Sequence, residues 1–233
     1  PDPSEIRMLA TDYDRTLTHP ETLRLDQDTI DALQEARALG LKVVVISGRD
    51  MAFLELHMGP HVDALVGENG CFFKPGPDAE MECLSHRLMP LKEILAHTGL
   101  DISYGEAMAD APVELTEQIK QALGDHLAHV DLIPNRDRVM LLPIGIDKAA
   151  GIKVAADRFG LTLDQVAAAG DGENDLPLLG TAGYRIAVAN AVPELKELAH
   201  VVTDEPGGVG LAHWIREVWI PAHRRGAPSA QNR

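Results

Sequence analysis

Aromatic residues are scarce, with two Trp, three Tyr and four Phe in 233 residues, so the core must rest on Ala, Val, Leu and Ile. Cysteine is scarcer still. Cys71 and Cys83 do not make a disulfide framework in a chain of this length, and no ligand spacing of Cys and His surrounds them. Two free thiols suit a reducing, cytoplasmic setting. No run approaches the roughly 18 apolar residues of a membrane span. A charged stretch followed by an apolar one, the pattern of a secretory leader, is also missing. Because the first residue is Pro1 rather than Met, that absence weighs little.

Positive charge is short as well. Against 36 Asp and Glu stand 21 Lys and Arg, a formal net charge of -15. Such a chain gains no long-range attraction to nucleic acid or to an anionic membrane, so neither is expected as a partner. It also repels an anionic substrate at a distance. Such a substrate would need local compensation from a metal, a lysine or backbone N–H groups.

Hydrophobic residues make up 45% of the chain, ordinary for a globular protein, and the length allows one large domain or two modest ones. The run 6–11 is apolar and stops at acidic residues, as a buried strand ending in a loop does. The spacing predicts a helix over 26–39, with Asp26 as its cap and Gly40 behind it. Further strands are expected at 41–46 and 62–66, with a helix over 50–57 between them. Buried strands alternating with helices predict a parallel sheet covered on both faces, a Rossmann-like α/β core.

The rhythm then changes. Residues 74–82, rich in Pro, Gly and acid, read as a connection. From 85 to 143 the expectation is helix (88–97), strand (101–108), helix (113–123) and two strands (128–133 and 138–142), an antiparallel α+β module. The βα rhythm resumes with a helix over 148–159 and strands at 166–169, 184–187 and 201–202. Helices are expected at 173–179, 192–198 and 208–219. The expected organisation is a discontinuous α/β core, 1–70 and 145–220, interrupted by an inserted α+β domain at 71–144. A polar, loose tail is expected over 221–233.

Open parallel sheets bind ligands at the carboxyl ends of their strands. Three polar clusters sit at such ends: Asp12-Tyr13-Asp14-Arg15-Thr16, Ser47-Gly48-Arg49, and Gly170 through Asp175. Asp12 and Asp14 leave one strand end two residues apart, and Asp171 and Asp175 add more negative charge. Such a rim repels itself unless a cation or proton intervenes. Hard oxygen ligands without Cys or His favour magnesium over zinc. Lys148 opens a helix and can bring a positive charge to the same place. A carboxylate can attack phosphorus, and a second can protonate the leaving oxygen and then activate water.

These residues carry a resemblance. Asp12-Tyr13-Asp14-Arg15-Thr16-Leu17 resembles the DxDxT signature of the haloacid dehalogenase superfamily of phosphatases. Ser47, Lys148 and the Gly170–Asp175 run match its second, third and fourth motifs in order. The insertion between the second and third motifs is similar to the compact C2-type cap of the Cof-like, type IIB branch. Its smaller members include archaeal-type phosphoglycolate phosphatases and sucrose-phosphate phosphatases. The resemblance covers nearly the whole chain. It implies a Mg2+-dependent phosphatase acting on a small phosphorylated metabolite, a sugar phosphate or phosphoglycolate-like acid, through an aspartyl-phosphate. Asp12 would be nucleophile and metal ligand. Asp14 would be acid and base, binding metal through its main-chain carbonyl. Thr16, Ser47 and Gly48 would cradle phosphoryl oxygens, Lys148 would bridge phosphate and nucleophile, and Asn174 would stand near the phosphate. Asp171 would ligate metal, with Asp175 beside it, unless Asp175 serves as a helix cap or salt-bridge partner.

Arg15 departs from the pattern, which usually has Gly there. It either points to solvent or adds a cation at the site entrance. Arg49 reads equally as a structural ion pair or a substrate contact, and Asn69 as a turn or a rim contact. Arg136, between two strands of the insert, reads as a solvated hairpin turn or a contact to the leaving group. Lys74, Arg87 and Lys92 carry weaker claims. Two other functions stay open: phosphotransfer within one sugar, as in the branch's mutases, and binding of a phosphorylated ligand without turnover. The ten histidines read as surface or loop residues.

Overall fold

Two sheets organise the chain in the computed structural model, which describes residues 1–85 and 90–225. Arg87, the start of the helix expected at 88, and the end of the expected tail, 226–233, lie outside the described residues. The first sheet has eight strands. Its centre is β1 (Met8–Thr11), flanked by β2 (Lys42–Ile46) and β10 (Val166–Gly170). Beyond β2 follow β3 (Ala64–Gly67), β4 (Phe72–Lys74) and β5 (Glu82–Cys83); beyond β10 follow β11 (Tyr184–Ala187) and β12 (Val201–Val202). From β12 to β3 every pairing is parallel, and β4 and β5 add antiparallel strands at one edge.

Successive side chains of a strand alternate between faces, and here the core divides accordingly. Leu9, Val43 and Val45 pack with α1 (Gln27–Ala38), α2 (Met51–Met58) and α8 (Gly207–Trp214). Met8, Ala10, Val44 and Ile46 pack with α5 (Lys148–Arg158), α6 (Leu176–Thr181) and α7 (Pro193–Leu198). This is the α/β core, covered on both faces, that the continuous apolar runs predict.

The second sheet is antiparallel, in the order β6 (Ser103–Tyr104), β7 (Ala109–Pro112), β9 (Arg138–Pro143), β8 (Val130–Asn135). One face carries α3 (Leu91–Leu95) and α4 (Thr116–Leu123), which share a small core of their own with it. The other face looks toward the carboxyl ends of β1, β2 and β10.

Several expectations are corrected. The stretch 101–108 is not one strand: Gly105 N–H donates to Met108 O at 2.8 Å, and this turn divides it into β6 and the approach to β7. Residues 74–82 are not purely a connection, because Phe73 is fully buried and draws β4 onto the edge of the first sheet, where β5 pairs with it. The insert expected from residue 71 therefore begins with strands of the first sheet. Residues 221–225 belong not to a loose tail but to a last helix, α9 (Ile220–Arg225). The fully buried Trp219 secures it, its Nε1 donating to Ile6 O at 3.0 Å. Asp26 stands at the N-terminus of α1, but its side chain makes no capping hydrogen bond. Asp50 does cap α2, accepting from Phe53 N at 2.8 Å.

Candidate active site

β1 is buried along its whole length, and Asp12 follows directly, its N–H donating to Ala169 O of β10 at 3.0 Å. The chain then turns sharply. Arg15 takes a left-handed backbone conformation, φ +64°, which costs a residue with a Cβ about 1 kcal/mol relative to glycine. The turn is held from two sides. Arg15 N donates to Thr18 Oγ1 at 2.7 Å, and Arg15 O accepts from Asn190 Nδ2 at 3.0 Å.

Lys148 arrives from another element. Asp147 caps α5 by accepting from the N–H groups of Ala149 and Ala150. Gly151 lets this first turn press onto the sheet, since a Cβ there would lie 2.6 Å from Val66 Cγ1. The Lys148 ammonium ends fully buried, 2.6 Å from Asp12 Oδ1 and 2.5 Å from Asp175 Oδ1. Asp175 is tied down in turn, its Oδ2 accepting from Asp171 N at 2.9 Å and Gly172 N at 3.0 Å. Thr16 Oγ1 contacts Asp171 Oδ1 at 3.4 Å.

Carboxylate oxygens of Asp12, Asp171 and Asp175, all buried, lie within 4.8 Å of one another. Burial pushes Asp12 well above the usual carboxylate range; Lys148 pulls against this, and Asp175, Asp171 and Asp14 add to it. Burial, with Asp175, lifts Asp171 to about 6 against the pull of Arg136 and Lys148. Burial opposes the charge on Lys148, but Asp12 and Asp175 outweigh it and the net shift is upward. One ammonium thus faces more negative charge than it cancels. A compact, all-oxygen set with surplus negative charge fits a hard divalent cation such as magnesium.

Asp14 points elsewhere. Arg49 grips it with a bidentate fork, Nε to Oδ2 and Nη2 to Oδ1, both 2.8 Å. Arg49 N also donates to Ser47 Oγ at 3.2 Å, and Ser47 is buried. Gly48 lines the cleft where a Cβ would come within 3.3 Å of Asn69 Nδ2 and Met140 Cε. Asn69 is buried, accepting from Asn174 Nδ2 at 3.1 Å and donating to Met140 Sδ at 2.7 Å, so it joins the site to the second sheet.

Arg136 tops the β8–β9 hairpin with φ +57° and is not a solvated turn. Its guanidinium pairs with Asp171 and donates to Asn190 O at 3.3 Å, while its N–H donates to Glu173 Oε2 at 2.9 Å. Lys74 does not join the site; it pairs with Glu55 at 2.7 Å. Lys92 lies on α3 and is exposed.

Glu68 escaped the sequence reading, where it is only the acid before Asn69-Gly70. It is buried at φ +48°, and its carboxylate accepts from three successive backbone N–H groups, Glu106, Ala107 and Met108, at 2.7–2.9 Å. The acid-Asn-Gly sequence at a strand end was the available signal. Its partners are backbone groups, which leave no trace in side-chain spelling. The cleft holds about 370 Å³, between the rim of the first sheet and the facing side of the second, and includes Leu23, Met108 and Asp110, also unread in the sequence.

A buried lysine bridging two aspartates at the end of a central parallel strand, with a second sheet facing them, defines a recognisable architecture. A family profile described as haloacid dehalogenase-like hydrolase matches residues 9–106 and 102–215, and the chain belongs to that family. It is 28% identical over 225 residues to a phosphoglycolate phosphatase of Methanothermobacter thermautotrophicus, covering 91% of this chain and 98% of that one. A phosphoglycolate phosphatase of Methanopyrus kandleri is also 28% identical, over 229 residues, covering 91% and 96%. The fold matches a crystal structure from Thermoplasma acidophilum, with a TM-score of 0.78 at 19% identity over 92% of this chain and 99% of that one. It also matches the HAD subclass IIB sugar phosphatase BT4131, with a TM-score of 0.74 at 20% identity over 92% and 99%. Among the described residues no helix is long and apolar enough to cross a membrane.

Proposed function

We propose that this phosphatase, a phosphoric monoester hydrolase, cleaves a small anionic phosphomonoester through an aspartyl-phosphate formed on Asp12. The observation that carries this is the buried Lys148 ammonium 2.6 Å from Oδ1 of Asp12, a residue that lines the cleft. It keeps a positive charge beside the attacking carboxylate and the phosphoryl oxygens. Asp12 forms the bond to phosphorus as the bond to the ester oxygen breaks. Asp14, exchanging its Arg49 fork for the leaving oxygen, supplies the proton. Water then attacks the aspartyl-phosphate, Asp14 takes its proton, and phosphate leaves. Ser47, Thr16, Gly48 and Asn174 orient the phosphoryl oxygens. Asp12, Asp171 and Asp175, with the Asp14 carbonyl, would hold Mg2+, which when bound neutralises charge on the carboxylates and the transferring phosphoryl group.

A cleft of about 370 Å³ suits a small leaving group. That size, and the phosphoglycolate phosphatases among the relatives, support a short phosphorylated acid as substrate. Selection among leaving groups is shared between the turn after β1 and the second sheet, in the part of 71–144 that follows β5. The test is phosphate release from a generic aryl phosphate with magnesium and with a chelator, beside Asp12→Asn. Magnesium-dependent release that Asp12→Asn abolishes is expected. Full activity in Asp12→Asn, or none from folded protein across a broad phosphate panel, defeats the proposal.

A further inference from the structure

Four arginines line the cleft: Arg15, Arg49, Arg136 and Arg138. Three are committed. Arg49 is forked on Asp14, Arg136 is paired with Asp171, and Arg138 is paired with Asp110 at 2.5 Å. Among the described residues, the Arg15 guanidinium has no hydrogen bond or ion pair. Its backbone is the opposite case, with N–H and C=O both held at 2.7 and 3.0 Å. The turn thus fixes where the side chain starts and leaves its charged end free. That start is a φ of +64°, which glycine would occupy without strain. Strain kept in a backbone that its surroundings pin, beside a reactive group, marks a place where the side chain is wanted for function.

The surroundings narrow what the side chain is for. Leu23, Met108 and Met140 give the cleft an apolar wall, so they offer an anion nothing. Asp137, the carboxylate in the lining without an ion pair, is exposed to solvent. In a chain of net charge -15, a free guanidinium on a residue that lines the cleft is the local compensation that a doubly anionic substrate needs. A planar guanidinium suits a carboxylate, which it can bind through two parallel hydrogen bonds. Arg15 stands three residues after Asp12 on one tight turn, so a group it holds lies only a few bonds from the phosphorus.

We infer that Arg15 determines specificity by binding a carboxylate on the substrate's leaving group, which selects short phosphorylated hydroxy acids over esters with uncharged leaving groups. This rests on the phosphatase reading for its chemistry, but its test reads binding alone.

The experiment is calorimetric titration, with magnesium, of 3-phosphonopropionate and of propylphosphonate, which lacks the carboxylate. The wild-type protein is expected to bind the carboxylated ligand about tenfold more tightly. Arg15→Gln should bring the ratio of the two affinities to within about twofold, and Arg15→Lys should keep part of it. Arg15→Gly, which suits the backbone, serves as a second variant should Arg15→Gln fold poorly, and should also lose the ratio. A wild-type ratio near one, a ratio unchanged in Arg15→Gln and Arg15→Gly, equal weakening of both ligands, or no binding of either phosphonate overturns the inference. Turnover of an aryl phosphate, measured in parallel, separates the two claims. Binding discrimination without turnover rejects hydrolysis and keeps Arg15, whereas turnover without discrimination rejects Arg15 alone.

Discussion

Lys148 donates from a fully buried ammonium to Asp12 Oδ1 at 2.6 Å, joining the first turn of α5 to the end of β1. Asp12→Asn keeps an oxygen for that bond and removes one of several crowded negative charges. Turnover is therefore expected to fall by roughly three orders of magnitude or more, since the proposed nucleophile is gone. Thermal stability of the metal-free protein should stay level or rise, because like-charge repulsion falls. Kinetics and a melting curve on one preparation check both. A large loss of stability would mean that the ion pair outweighs the repulsion.

Arg136 competes with any cation for Asp171. In Arg136→Gln that carboxylate is released, and magnesium should bind more tightly by roughly fivefold. Titration calorimetry without substrate measures this directly. Weaker magnesium binding in the variant would instead show that Arg136 shapes the metal site.

Glu68 clasps three successive N–H groups of the turn between β6 and β7 in the facing sheet. Glu68→Ala leaves them without their acceptor, the Ala107 and Met108 amides in a buried place, at a cost of roughly 2–4 kcal/mol. Urea unfolding gives the loss, and hydrogen exchange should quicken at the Ala107 and Met108 amides. Unchanged exchange there would discount the clasp.

Cys71 is fully buried, and burial, with Glu68 and Cys83 adding to it, pushes its thiol up to about 12 from 9.0. The folded protein therefore holds this proton at pH values where the unfolded chain has released it. Stability linked to it is fully present below pH 9 and falls as pH rises toward 12, by up to roughly 1.4 kcal/mol per pH unit. Comparing the alkaline slopes of wild type and Cys71→Ala isolates this contribution; identical slopes would refute it. At pH 8 a thiol reagent should label the exposed Cys83 in the native protein and reach Cys71 only after unfolding.

Strand-by-strand, the α/β core was legible because parallel strands buried on both faces spell continuous apolar runs, as 41–46 does for β2. Helix α5 was equally plain. The edge strands β4 and β5 were not, since Pro and Gly around 76–77 suggest a loop, and only the burial of Phe73 against the first sheet makes β4 a strand. At the site, Asp12, Ser47, Lys148, Asp171 and Asp175 meet from motifs far apart in sequence. Arg136 was ambiguous because a polar two-residue hairpin turn is spelled the same whether it faces water or Asp171. The Arg49–Asp14 fork, spanning 35 positions, has no local signature at all.

Gly170 ends β10, and a Cβ there would fall 2.5 Å from Asp175 Cβ. That single missing carbon has a consequence for how the protein can change over time. Charges at the mouth of the cleft can drift, and with them the molecules it prefers. Position 170 has no such freedom, because any larger residue shifts Asp175, and with it the Lys148 ammonium that Asp175 shares with Asp12. Selectivity is therefore open to gradual revision, while the reacting centre is sealed against even the smallest addition.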